Sequence, residues 1–318
     1  MACASVRVVE QAKGWDCMNS TTLRRTGLSI AVAAALTGLS ACGSGGSDGS
    51  SDKADGDGGK SGIKISPIAA LRSVEKSTDK ADTARVDGST TMGSLSSMDM
   101  KGVMGWSDGI TGNVTVTFTG GSQAQQMKQL GQTKLDYRYL KNGFYANMGD
   151  RFAAEAGGGK HWLAYDYDTL AEMSGAAGEA FQDQMQNTTP NQSVKMLLAS
   201  GDVKRVGEEE VRGTKTTHYS GKVDIADFTA KNSDLDAEQM SELKKQFQQA
   251  GMDTETIDVW VDDDDLLVKK TEKADTKNGP FSQTAYYSDY GTPLTVEKPP
   301  ASDTMSFKDL LAKQRPAA

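Results

Sequence analysis

From Ser66 onward the apolar side chains fall on two periods, and these divide the chain into helices and strands. Ser66-Pro67 places a capping residue before a proline at the first helical position, and Ile68, Leu71, Val74 and Thr78 follow at helical spacing. Short alternating segments come next. Val114, Val116 and Phe118 share one face while Thr115, Thr117 and Thr119 share the other, and Leu135, Tyr137 and Tyr139 alternate with Lys134, Asp136 and Arg138. Asn142-Gly143, two residues that tolerate positive φ, reads as a hairpin turn leading to Phe144, Ala146 and Met148. This is the pattern of an antiparallel meander.

The period then changes. Leu170, Met173, Ala177, Phe181 and Met185 mark a helix loosened by Gly175 and Gly178, and Val194, Leu197 and Leu198 mark a shorter one after Pro190-Asn191. Strands return at 203–206 and 211–225, with Thr217, Tyr219, Val223 and Ile225 on one face. Met240, Leu243 and Phe247 form a third helical stripe stopped by Gly251. Ile257, Val259 and Val261 alternate with Asp258, Trp260 and Asp262, the run Asp262 to Asp265 turns the chain, and 266–271 and 283–290 supply later strands. Helices in small groups between hairpin runs give an α+β fold, with helices over one face of an antiparallel sheet.

The N-terminal region follows neither period. Arg24 and Arg25 precede an apolar run from Leu28 to Leu39 that is shorter than a membrane span and interrupted by Ser29, Thr37 and Gly38, as in a signal peptide. Leu39-Ser40-Ala41-Cys42-Gly43 looks like a lipobox, which makes Cys42 the lipidated first residue of the mature chain. Residues 1–17 overextend such a leader, so translation is expected to start at Met18, with 18–41 as signal peptide. Residues 42–62 are nearly all Gly, Ser, Asp and Lys and read as a disordered tether, giving roughly 25 Å of slack. Residues 63–318 form the single domain, and the sequence leaves open whether the tail after 300, where Ser302 and Asp303 could cap a last helical turn, docks or frays.

Charge narrows the partners. The chain carries −8 and residues 1–41 carry +2, so the mature part carries −10. That disfavours nucleic acid and leaves the acyl anchor on Cys42 as the attachment to the outer, extracytoplasmic face of the cell membrane. With Cys42 as its only cysteine, the mature chain must rely on an apolar core.

The sequence carries no recognisable catalytic motif. His161 and His218 lie away from cysteine and from metal-ligand spacing; His218 falls on the polar phase of its strand and reads as solvated, and His161 as a strand-edge residue. Gly157-Gly158-Gly159-Lys160 lacks the first glycine and the Ser or Thr of a phosphate loop. Asp262 to Asp265 lacks the glycine and distal glutamate of a calcium loop. No cofactor or metal is expected, and the chain reads as non-enzymatic. The aromatic set Tyr137, Tyr139, Phe144, Trp162, Tyr165 and Phe181 is open to two readings, ordinary core or ligand cage.

Gly213 to Tyr219 leading to Val223-Asp224, and Ile257 to Asp262 leading through Leu267 to Lys270, resemble two strand segments of the actinobacterial LppX/LprG lipoproteins and, more widely, of LolA-like proteins. The resemblance implies a strongly curved antiparallel sheet, a half-open barrel, with helices over its concave face and an apolar cavity that carries an acyl chain or lipid-linked molecule. Candidate cavity residues are Tyr137, Tyr139, Phe144, Trp162, Met173, Phe181, Met185 and Leu197, in a domain that works as a monomer. The alternative is a membrane-tethered binding or regulatory lipoprotein that engages a membrane protein through its surface.

Overall fold

The side chain of Ser66 accepts a hydrogen bond from the Ala69 backbone and so caps α1, Pro67–Lys80, whose Leu71, Val74 and Thr78 are buried while Ile68 stays exposed. A computed structural model describes residues 66–174, 178, 182, 189–224, 248 and 251–314. Two antiparallel meanders come after α1. The first contains β1 (Thr83–Met92), β2 (Ser96–Gly105), β3 (Thr111–Gly120), β4 (Lys134–Leu140), β5 (Gly143–Asn147) and β6 (Trp162–Asp166). Short helices interrupt it, α2 (Gly121–Gln129) between β3 and β4 and α3 (Gly149–Glu155) between β5 and β6. Then come α4 (Tyr167–Ser174) and α5 (Gln192–Ser200). The second meander contains β7 (Lys204–Val211), β8 (Thr214–Asp224), β9 (Thr254–Val261), β10 (Leu267–Thr276) and β11 (Gly279–Ser288), and the chain ends in β12 (Thr304–Ser306) and α6 (Phe307–Gln314).

All twelve strands form one sheet in the order β12-β6-β5-β4-β3-β2-β1-β11-β10-β9-β8-β7. Pairing of β1 with β11 joins the meanders, and among the described strands only the pairing of β12 with β6 is parallel. The sheet is curved and does not close, because β12 and β7 remain its edges, so the fold is the α+β half-open barrel expected from the sequence.

Register assigns each side chain to a face. The inner face, on which α5 packs, carries Tyr219 and Val223, Ile257 and Val259, Ala285 and Tyr287, Ala84 and Val86, Val114 and Val116, and Leu135, Tyr137 and Tyr139. Leu71, Val74, Val194, Leu197, Ile257, Val259 and Leu267 are wholly buried, each removal from water contributing about 1.5–3 kcal/mol. Asn191 ties α5 to α1 by donating to the Glu75 carbonyl at 2.7 Å and to Asp79 at 2.8 Å.

Several expected elements are adjusted. The hairpin at 140–143 forms, but its loop is Lys141-Asn142. Gly143 opens β5 without a positive φ; glycine is needed because a Cβ there would lie 2.3 Å from the Tyr165 carbonyl oxygen. The strand expected over 211–225 divides at Arg212-Gly213, where both residues have positive φ and turn β7 into β8. Ile225, the residues Ala177, Phe181 and Met185 of the helix expected over Leu170 to Met185, and the stripe Met240, Leu243 and Phe247 lie outside the described residues, as do Cys42 and everything before Ser66.

Beyond Ser288 the chain crosses the outer face of the sheet. Thr83 donates to the Thr292 carbonyl, Asn113 to that of Thr295 and Arg138 to that of Glu297. Of the two alternatives left open for the tail after residue 300, the structure shows docking: Met305 and Leu310 pack with Leu163, Phe152 and Phe307 in a small core beside β6.

Candidate functional site

The inner face has an aromatic end and a polar end. At the aromatic end, β4 places Tyr137 and Tyr139 two residues apart on one face, with rings 6.0 Å apart and nearly parallel. Tyr139 pairs across the hairpin with Phe144, and Phe144 pairs with Tyr165, its ring stacked at 4.5 Å. Tyr167 approaches Phe144 at 6.3 Å and Phe307 of α6 stacks on Tyr165 at 4.9 Å. Burial raises the phenols of Tyr137, Tyr139 and Tyr167 and pushes that of Tyr165 up to about 12, so all four remain neutral and offer no phenolate.

From this end an apolar strip continues through Val114 and Val116, Met98 and Met104, and Val86 to Ala285, all buried. Between β5 and β11 lie five strand steps, about 24 Å of surface, comparable to a long acyl chain.

The polar end lies under α5. Lys270 and Glu272 stand on the inner face of β10, where alternation calls for apolar side chains. Lys270 Nζ donates to Glu272 at 3.0 Å and to the Ser193 hydroxyl at 2.9 Å, and Ser193 also donates to Glu272. Glu255, buried on β9, has no apolar role on this face. Burial, with the like charge of Glu272 adding and Lys270 opposing, pushes its carboxyl up to about 8. Burial works against the Lys270 ammonium, but Glu272, then Tyr287 and Glu255, more than offset it and hold the group above the ordinary lysine value. A lysine held protonated is a fixed cation and a poor nucleophile. The cluster thus clips α5 to the sheet through Ser193.

The structure separates the residues proposed from sequence. Tyr137, Tyr139 and Phe144 meet in one cluster. Trp162 is a correction: it pairs with Asn147 on the opposite, outer face, under the Arg138 guanidinium at 4.7 Å. Met173 is 44% exposed on α4. Leu197 is fully buried but packs over Gly221 of β8, at the other end of the strand order. Phe181 and Met185 lie outside the described residues. His218, expected to be solvated, is instead stacked on Trp260 at 4.2 Å with its two ring nitrogens at 2.9 Å from Glu209 and 2.8 Å from Asp258. His161 bonds Asp303 at 2.7 Å through Nδ1 and so holds the C-terminal segment to β6. Sequence reasoning missed the Lys270, Glu272 and Glu255 group. The available signal was polar residues on the phase of β9 and β10 set inward by Ile257 and Val259.

Among the described residues no helix is long and apolar enough to cross a membrane. No family model matches the chain. Two solved mycobacterial lipoproteins are similar in part: LppX of Mycobacterium tuberculosis, at 13% identity and TM-score 0.42, covers 73% of this chain and 98% of its own. LprF of Mycobacterium bovis, also 13% identical with TM-score 0.39, covers 73% and 96%. Likeness at that level leaves the fold to rest on this chain's own strand order. Sequence relatives are nearer. An uncharacterized 31.2 kDa protein of Streptomyces griseus, from the rplA-rplJ intergenic region, is 54% identical over 249 residues, 78% of this chain and 81% of its own length. A Streptomyces coelicolor protein is 44% identical over 310 residues, which are 93% of this chain and 99% of the relative. That relative bears the name "Putative lipoprotein", and at this identity over nearly the full length of both, the chain belongs to its family.

Proposed function

We propose that this chain is a cell-envelope lipoprotein, anchored through an acylated Cys42 and the tether 42–62, that holds an acyl chain or lipid-linked molecule against the inner face of its sheet and carries or presents it without chemical change. The observation that supports this reading best is the uncharged strip from Phe144 and Tyr139 to Ala285, long enough for an extended acyl chain and bounded by a polar group, Lys270 and Glu272, at one end. Each methylene moved from water to such a surface contributes about 0.8 kcal/mol, so affinity needs no catalytic group. The lipoprotein name of the Streptomyces coelicolor relative agrees with the Leu39 to Gly43 motif.

Native mass spectrometry of the delipidated protein titrated with a fluorescent long-chain fatty acid and with a phospholipid tests the reading. One-to-one adducts that displace each other are expected. If the folded protein binds neither, the acyl-carrier reading is wrong.

A further inference from the structure

The outer face carries a second concavity, opposite the aromatic strip. One recess of about 590 Å³ is lined by Asp87, Asp99, Lys101, Lys134 and Arg212 beside Tyr286. Another of about 580 Å³ is lined by Thr115, Asp136, Arg138 and Glu297 beside Trp162. Both include Lys101 and Thr115, so they join into one groove. Arginine-covered aromatics wall its two ends. Arg212 lies 3.5 Å over Tyr286 and pairs with Asp87, while Arg138 lies over Trp162 and donates to the Glu297 carbonyl.

We propose that this groove binds a linear, uncharged polysaccharide. Its floor is two cross-strand rows on one face, Ser89-Asp99-Thr117-Lys134 and Asp87-Lys101-Thr115-Asp136. Hydrogen-bond donors and acceptors therefore alternate about 4.8 Å apart along each row, close to the repeat of a sugar ring. Four cations, Lys101, Lys134, Arg138 and Arg212, stand against four carboxylates, Asp87, Asp99, Asp136 and Glu297. A groove without net sign repels neither end of a neutral chain and rewards no polyanion. Lys101, Lys134 and Asp99 form no ion pair within 4.0 Å among the described residues, which leaves their polar heads available to hydroxyls. From Tyr286 on β11 to Trp162 on β6 there are six strand steps, about 29 Å, room for a hexasaccharide. The site uses the face opposite the acyl strip, so it stands or falls independently of the acyl-carrier reading.

The test is calorimetric titration of the full-length protein, in a sugar-free detergent, with chitohexaose, cellohexaose and maltohexaose. Dextran sulfate serves as a polyanion. Saturable binding of at least one neutral hexasaccharide is expected, weakened about tenfold in Lys101→Ala and in Asp99→Ala, two exposed positions whose variants are checked for folding by circular dichroism. Binding of none of the three up to about 10 mM would overturn the proposal. So would binding that neither variant alters, or tighter binding of dextran sulfate.

Discussion

Glu272 accepts a hydrogen bond from Lys270 at 3.0 Å in the protein interior, with both side chains nearly closed off from water beneath α5. Taking two charges out of water offsets much of their attraction, so the pair contributes less to net stability than its geometry suggests. Breaking it is another matter. Lys270→Met leaves Glu272 without its cation and should cost about 3–5 kcal/mol in urea unfolding, whereas Lys270→Met with Glu272→Gln should recover most of that loss. Equal destabilisation of the single and double variants would show that the two charges are not coupled.

Glu255 gives the same cluster a pH dependence. Its carboxyl, ordinarily near 4.5, is pushed up to about 8 by burial and then by Glu272, so the folded state binds a proton that the unfolded state releases. Its contribution is fully present below about pH 4.5, shrinks as pH rises toward 8, and is then lost. The slope is on the order of 1.4 kcal/mol per pH unit within that window. Glu255→Gln should flatten the fall in unfolding free energy between pH 5 and 8 and be more stable than the parent at pH 8. An unchanged slope would place the proton elsewhere.

The sequence makes the hairpin around Tyr139 and Phe144 legible because apolar and polar residues alternate from Lys134 to Tyr139 and the turn residues Asn142-Gly143 follow. β1 and β2 carry no such signal, since their inner positions include Gly88, Thr90, Met100 and Gly102. Helix α2, GSQAQQMKQ, buries Gln123, Ala124 and Met127 and has too few apolar residues to display a stripe. Trp162 has no phase legible in the sequence because α3 separates β5 from β6, and no periodicity survives that insertion. Only the pairing of Asn147 with Trp162 fixes the phase. Lys270 and Glu272 escape for the opposite reason: they break the alternation rule, and their burial depends on the residues facing them from α5 and β9. Tertiary contacts decide both cases.

The C-terminal segment should be held most tightly in a limited pH window. Asp303 raises His161 above 6.5, first through their side-chain hydrogen bond, and His161 in turn lowers Asp303 below 3.8, first through its backbone N–H. The histidine contribution is present below about pH 6.5 and is lost as pH rises through its higher folded value. The aspartate contribution is present above about 3.8 and is lost as pH falls through its lower one. Hydrogen exchange over residues 301–314 should therefore be slowest between about pH 4 and 6.5, after correction for intrinsic rates. Asp303→Asn should remove the change at the alkaline side. Retention of that change in the variant would rule out the His161 latch.

Gly102 tests the curvature on which the inner face depends. It sits in β2 opposite Val114 of β3, and a Cβ there would lie 2.2 Å from the Asn113 carbonyl oxygen and 2.8 Å from Val114 Cα. Those are backbone atoms of a paired strand, which cannot move aside without opening the ladder. Gly102→Ala should therefore cost about 1–3 kcal/mol despite adding only a methyl group, and should lower the thermal midpoint by several degrees. Gly207 of β7 supplies the control. Nothing lies within 4 Å of a Cβ built there and its φ is not positive, so Gly207→Ala should change stability by no more than about 0.5 kcal/mol. If the two substitutions prove equally mild, β2 and β3 do not approach as closely as the fold requires. The coiling of the sheet around its inner face would then need another cause.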